Sequence, residues 1–246
     1  MVTVKQIFEY LNEVMPFDTQ EKWDNSGLML DSGVPSDKIL CCLDVTKAAV
    51  DMAIETGCKI IVSHHPLIFS GIKSINSSSV IFKLIQNNIS VVSAHTNFDK
   101  YENGTSVKLA EICGIVDNIH QKEFAVIADL SEEQDFDDFL YKMKEKFKNN
   151  IQFVKSSDNI TKVMVVAGSG KGMTDEIIAE NCDCLITGES SYHDMLDMKE
   201  MGINCICVGH DESEKISVST LEELIEHKFE NIQTICFIEK CITEVI

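Results

Sequence analysis

Apolar residues along this chain recur in two alternating rhythms, which predicts strands and helices in succession. Ile7, Leu11 and Val14 fall on one helical face, Thr3 stands where a cap belongs, and Pro16 closes the segment. Trp23-Asp24-Asn25-Ser26-Gly27-Leu28 reads as a loop, equally suited to a structural plug or a binding element. Strands are then expected at 39–45, 59–63 and 89–94. Helices are expected at 46–55 with Thr46 as cap, at 78–87 and at 103–112. In the middle, 124–130 reads as a strand, and Ser131-Glu132-Glu133-Gln134 as a capping box opening a lysine-rich helix to about Lys148. Strands at 151–154 and 162–167 follow. A second alternation runs helix 173–180, strand 183–187, helix 190–201, strand 203–208, helix 217–227 and strand 232–238. This succession predicts an α/β fold with a parallel or mixed sheet covered on both sides.

The chemistry gathers at strand ends. Ile60-Ile61-Val62-Ser63 reads as a buried strand opening into His64-His65-Pro66, and open α/β sheets place their chemistry at the C-terminal ends of strands. By itself the pair reads as well as two unrelated loop histidines as it does as a metal site. An internal echo changes that. Lys59–Ser63 ends at His64 and Cys184–Gly188 ends at Glu189; the next strand closes with Ala94-His95 in one case and Gly209-His210 in the other. His95 is trailed four residues later by Asp99, and His210 by Glu214. A degenerate duplication produces such a pattern: two similar α/β domains, 1–120 with the His-His-Pro loop and His-x-x-x-Asp, and 121–246 with Thr-Gly-Glu and His-x-x-x-Glu, facing across a shared metal-binding crevice. His120 and His227 are expected to be bystanders, and His193 to pair with Glu189 outside the ligand shell.

Imidazole is the commonest side-chain metal ligand. Several imidazoles with two carboxylates are too many ligands for one tetrahedral zinc and suit two divalent ions. Such a pair lowers the pKa of a bridging water and polarises an electrophile, which is hydrolytic chemistry needing no nucleophilic side chain. Gly168-Ser169-Gly170-Lys171-Gly172 resembles a phosphate cradle, but its spacing is not the Walker pattern and a tight strand-to-helix turn is favoured.

Composition narrows the partners. Across 246 residues, 40 acidic against 21 basic residues give a formal charge of −19, which argues against nucleic acid and anionic membrane. Residues 1–10 lack a continuous apolar core of a signal peptide, and no apolar run reaches the ~18 residues of a membrane span. Ten cysteines without a single Cys-x-x-Cys pair read as free, buried thiols of a cytoplasmic protein. Cys182/Cys184 and Cys205/Cys207, two apart in apolar runs, are each expected to share one strand face.

At these residues the chain resembles the GTP cyclohydrolase 1 type 2 family of dinuclear-metal proteins, also called Nif-three-like. The matching pieces are Trp23–Leu28, Leu43-Asp44-Val45-Thr46, Ser63–Leu67, His95-Thr96-Asn97-Phe98-Asp99, Gly168-Ser169-Gly170, Thr187-Gly188-Glu189 and Gly209-His210 through Glu214. They run in family order over nearly the whole chain. The resemblance implies a ring-shaped homohexamer and two divalent metal ions per subunit (Zn, Fe, Mn or Ni) held by His64, His65, Asp99, His210 and Glu214. His95 is assigned the catalytic part, orienting a ligand or shuttling a proton. The middle, about 115–165, is too short for the large insertion that some members carry. Asp211 and Glu212 depart from the family pattern, in which an aromatic residue often follows the histidine, and add negative charge beside the metals. The family name implies hydrolytic opening of the guanine ring of GTP; Lys73, Lys100 and Lys171 are the nearest cations for a triphosphate. The expected function is a metal-dependent hydrolase of a nucleotide or related small molecule, the alternative a non-catalytic metal-binding or regulatory scaffold.

Overall fold

The β-branched runs at the predicted strand positions are buried on both faces, as in a sheet sandwiched between helices. The computed structural model describes residues 1–147 and 151–240. The helix end expected near Lys148 lies outside them. The described residues group into two units, one formed by 1–101 with the chain from Ser217 to Lys240, the other by Glu102–Ile216. The division expected after residue 120 is therefore corrected: the chain leaves the first unit after Tyr101 and re-enters it at Ser217.

The first unit contains α1 (Val4–Val14), β1 (Gly27–Leu30), β2 (Lys38–Cys42), α2 (Lys47–Thr56), β3 (Ile60–Ser63), α3 (Val80–Gln86), β4 (Ser90–Ser93) and the one-turn α4 (Thr96–Asp99). The second contains α5 (Thr105–Cys113), β5 (Ile119–Lys122), β6 (Ala125–Asp135), α6 (Phe136–Lys146), β7 (Gln152–Val154), β8 (Asn159–Ser169), α7 (Thr174–Ala179), β9 (Cys184–Glu189), α8 (Tyr192–Glu200), β10 (Asn204–Cys207) and α9 (His210–Glu214). The chain then returns to the first unit through α10 (Ile216–Lys228) and β11 (Gln233–Phe237).

The first sheet has the order β1-β4-β3-β2-β11, parallel except for β1. Alternate residues serve its two faces. Ile39, Ile60, Val62 and Val92 pack with Ile7 and Leu11 of α1 and Val218, Leu221 and Ile225 of α10. Leu40, Ile61 and Val91 pack with α2 and α3 through Val50, Ala53 and Leu84. Each such fully buried Val, Leu or Ile contributes about 1.5–3 kcal/mol over its exposed state. The second sheet has the order β5-β6-β8-β9-β10-β7. Its three consecutive parallel strands β8, β9 and β10 repeat the arrangement of β2, β3 and β4. The echo in the sequence is thus an echo in topology. Each triplet ends in a short helix that carries the histidine–acid motif at its start and end, and the helix that follows belongs to the other unit.

Several boundaries differ from expectation for physical reasons. Gly27 and Leu28 join β1, which hydrogen-bonds antiparallel to β4, so the Trp23 loop is shorter than its motif. Ser131–Gln134 does not cap a helix. It extends β6, where Gln134 and Asp135 pair with Ile160 and Asn159 of β8. Asp135 caps α6 instead, its side chain accepting from the Asp138 N–H at 3.0 Å. Starting at 136 brings Phe136, Phe139 and Met143 onto one buried face, so the apolar register outweighs the capping box. Cys205 and Cys207 share a face, but Cys182 precedes β9 and packs with the α7–α8 side while Cys184 faces the opposite core. All nine cysteines among the described residues are free.

Candidate metal centre

In the first unit, β3 delivers His64 and His65, and β4 delivers His95 with α4. The imidazoles converge: one donor atom from each of His64, His65 and His95 lies within 4.8 Å of the others. His64 is fully buried, and its Nδ1 lies 2.9 Å from the Ala94 carbonyl oxygen. A carbonyl only accepts, so Nδ1 carries the proton and Nε2 presents a lone pair toward Asp99, 3.6 Å away. His65 Nδ1 lies 2.8 Å from Asp44 Oδ1, and His95 Nδ1 lies 2.9 Å from Asp24 Oδ1. All three rings are therefore held by an oxygen on Nδ1. That is how metal-ligating histidines are normally oriented.

Asp24 explains the Trp-Asp-Asn-Ser motif. Its side chain is fully buried. Oδ2 accepts from the Thr96 N–H at 3.1 Å, the Thr96 hydroxyl at 2.5 Å and the Ser26 hydroxyl at 2.9 Å. Ser26 Oγ in turn accepts the His95 N–H at 3.1 Å. Burial alone would raise the Asp24 pKa, but the hydrogen bonds from His95 and Thr96 outweigh it and hold the carboxyl well below its usual range. The motif is a clamp that fixes the turn between His95 and Asp99. Lys100, one of the cations expected for a phosphate, is paired with Glu21 at 2.7 Å.

In the second unit, α9 presents His210 and Glu214 one turn apart. His210 Nε2 lies 3.0 Å from Glu214 Oε2, and Nδ1 lies 3.2 Å from Glu189 Oε1. Glu189 thus orients His210 rather than pairing with His193. Hydrogen bonding to Glu214 raises His210 to about 9, with burial opposing and Glu189 reinforcing. This electrostatic environment favours positive charge.

The glycine motifs make room for that helix. Gly168 has a φ of +66°, and a Cβ there would overlap the Glu214 carboxylate. A Cβ on Gly188 would stand 2.5 Å from the Gly168 carbonyl oxygen and 2.9 Å from His210 Cα. The Gly168 N–H donates to Ser213 Oγ at 2.9 Å, and that hydroxyl donates to the His210 carbonyl at 2.7 Å. Gly168 and Ser169 close β8 and Gly170 opens the turn toward α7, as expected over a phosphate cradle; Gly168 serves the close approach of α9, while a Cβ on Gly170 would stand 2.7 Å from Thr187 Oγ1 of β9. The sequence did not single out Asp24, Asp44 or Glu189 as partners of His95, His65 and His210. Their signal was positional. Cys42 and Ser63 pair on adjacent parallel strands, so Asp44 and His65, each two residues further on, fall side by side.

Two mixed α/β units, each ending a parallel strand triplet in a histidine–acid helix, define the class of protein. The chain belongs to the Duf34/NIF3 (NGG1p interacting factor 3) family, whose model matches residues 2–242. It is 35% identical over 241 residues to the GTP cyclohydrolase 1 type 2 of Helicobacter pylori, covering 96% of each chain. To the GTP cyclohydrolase 1 type 2 homolog of Clostridium acetobutylicum it is 32% identical over 239 residues, covering 91% of this chain and 89% of the relative. A crystal structure of a hypothetical protein from Staphylococcus aureus superposes with a TM-score of 0.89 at 26% identity, over 100% of this chain and 99% of the other. The Bacillus cereus protein related to NIF3 superposes at 0.86 with 19% identity, over 99% of each chain, which shows the fold alone. The family expected from the motifs and its mixed α/β fold are thus shown. No helix among the described residues is long and apolar enough to cross a membrane.

Proposed function

We propose that this chain binds two divalent metal ions, with His64, His65 and Asp99 as ligands from the first unit and His210 and Glu214 from the second, and hydrolyses a nucleotide or related small molecule in the cytoplasm. The observation that supports the reading most is the orientation of the imidazoles. His64, His65, His95 and His210 each have Nδ1 on an oxygen acceptor, three of them a carboxylate, and Nε2 of His64 and of His210 faces Asp99 at 3.6 Å and Glu214 at 3.0 Å, the carboxylates proposed as fellow ligands. Structural histidines have no need of a common orientation. A bound divalent ion supplies a water of lowered pKa and polarises the electrophile. Asp24, held ionised, fixes the proton on His95 Nδ1 and so leaves Nε2 to accept a proton or orient a substrate group.

The names of the Helicobacter and Clostridium relatives make GTP the first substrate to try. The experiment is elemental analysis of purified protein followed by loading with Mn, Fe, Zn or Ni and incubation with a nucleotide panel. Stoichiometric metal and turnover of one nucleotide are expected. Bound metal without turnover under any loading would leave the metal-binding scaffold and remove the hydrolase. Assembly into a ring-shaped homohexamer belongs to the same proposal, and a monomeric mass in solution would refute it.

A further inference from the structure

Trp23 and Phe69 are unusual among the large apolar side chains of the first unit. They lie side by side with ring centroids 5.9 Å apart and planes tilted by 36°, yet Trp23 is 59% exposed and Phe69 53% exposed. Two packed aromatic rings left open to water mark a surface that something else covers. Both also touch the candidate metal centre. His95 meets Trp23 at 6.1 Å and 75° and Phe69 at 6.3 Å and 73°, and the same imidazole contacts His64 at 5.2 Å and His65 at 5.5 Å. The aromatic ledge is therefore continuous with the histidine cluster, within one unit.

The ledge is held by its backbone. The neighbour of Trp23, Asp24, is buried and fully engaged by His95, Thr96 and Ser26. Asn25 Nδ2 donates to the carbonyl of Ile68, the residue before Phe69, at 2.5 Å, tying the two ring-bearing loops together. A pre-positioned pair of exposed rings loses little entropy on binding a flat partner. Aromatic faces recognise planar rings of either charge state by stacking, and do so without hydrogen-bond readout.

We propose that Trp23 and Phe69 form the subsite that stacks the planar heteroaromatic ring of the substrate, placing it beside His95. The inference rests on the metal-dependent reading above and assigns it a ring-binding element. A ring lying parallel to Trp23 stands nearly perpendicular to the His95 imidazole, so His95 meets it edge-to-face. Phosphate groups, where present, are left to other parts of the protein. Trp23 and Phe69 thus set specificity for the ring, and a substrate without one lacks the stacking energy.

The chain carries one tryptophan, so its fluorescence reports from this ledge alone. The test titrates metal-loaded full-length protein with guanosine, adenosine and cytidine, and with inorganic tripolyphosphate as a ringless probe, while metal content is measured on the same samples. Saturable quenching by at least one nucleoside and none by tripolyphosphate is expected. Phe69→Ala, a substitution at an exposed position, is expected to weaken that nucleoside roughly tenfold with metal content unchanged. No saturable change with any nucleoside, or an affinity indifferent to Phe69→Ala, would overturn the proposal. Bound metal with no quenching rejects the ledge alone. Quenching lost in Phe69→Ala, in protein that takes up no metal, rejects the metal reading and keeps the ledge.

Discussion

Gly168 and Glu214 are fitted to one another. The glycine takes a backbone conformation that L side chains rarely adopt, and the space a Cβ would fill is occupied by the Glu214 carboxylate. The position of a candidate ligand on α9 therefore depends on the absence of a side chain at the end of β8.

Gly168→Ala should consequently act twice. The left-handed backbone and the overlap should destabilise the second unit by more than about 1 kcal/mol. The displaced carboxylate should lower metal content to the level of Glu214→Ala. A urea midpoint and elemental analysis check both, and a variant unchanged in both would show that α9 needs no such clearance.

Glu189 touches His210 at Nδ1. Removing it in Glu189→Ala should leave Glu214 in place but free the ring, lowering metal affinity about 10–100-fold. Competition against a chelating dye measures this. An affinity equal to wild type would mean that Glu189 does not orient the ligand.

Asp24 should set an acid limit. Its carboxyl is held below the ordinary carboxylate range, so its contribution is complete above the unfolded value near 4 and is lost as pH falls from there. Asp24→Asn should therefore be less stable than wild type at pH 7, and the two should converge as pH drops below about 4. Urea unfolding of both proteins across this range tests the sign. A gap that widens in acid would contradict it.

Burial raises the thiols of Cys113, Cys182 and Cys236 to about 12 and pushes Cys41, Cys42 and Cys184 up as well. Thiolates are the reactive form. Native protein at pH 8 should take up little iodoacetamide at these positions while unfolded protein is labelled throughout, as read by peptide mass. Fast labelling of Cys182 or Cys236 in the native protein would disagree.

The strands and the histidine–acid motifs were legible because each is a local pattern: β-branched runs at 60–62 and 91–92, and a histidine with an acid four positions later at a strand end. The acids that hold the histidines were not, because Asp24 lies 71 residues from His95 and Asp44 lies 21 from His65, and only the sheet brings them together. The domain boundary failed for a related reason. Leu109 and Ala110 bury against the second sheet, and β11 closes the first by pairing with β2. Periodicity states that a helix or strand exists, not which sheet will cover it. At Ser131–Gln134 a correct local signal lost to the apolar register of Phe136, Phe139 and Met143.

The most direct test of the account is the number of metal ions per chain, measured by elemental analysis on wild-type protein, Asp99→Ala and Glu214→Ala. Two divalent ions are expected in the wild type and a lower number in each variant. No stoichiometric metal in the wild type, or an unchanged number in both variants, would contradict it.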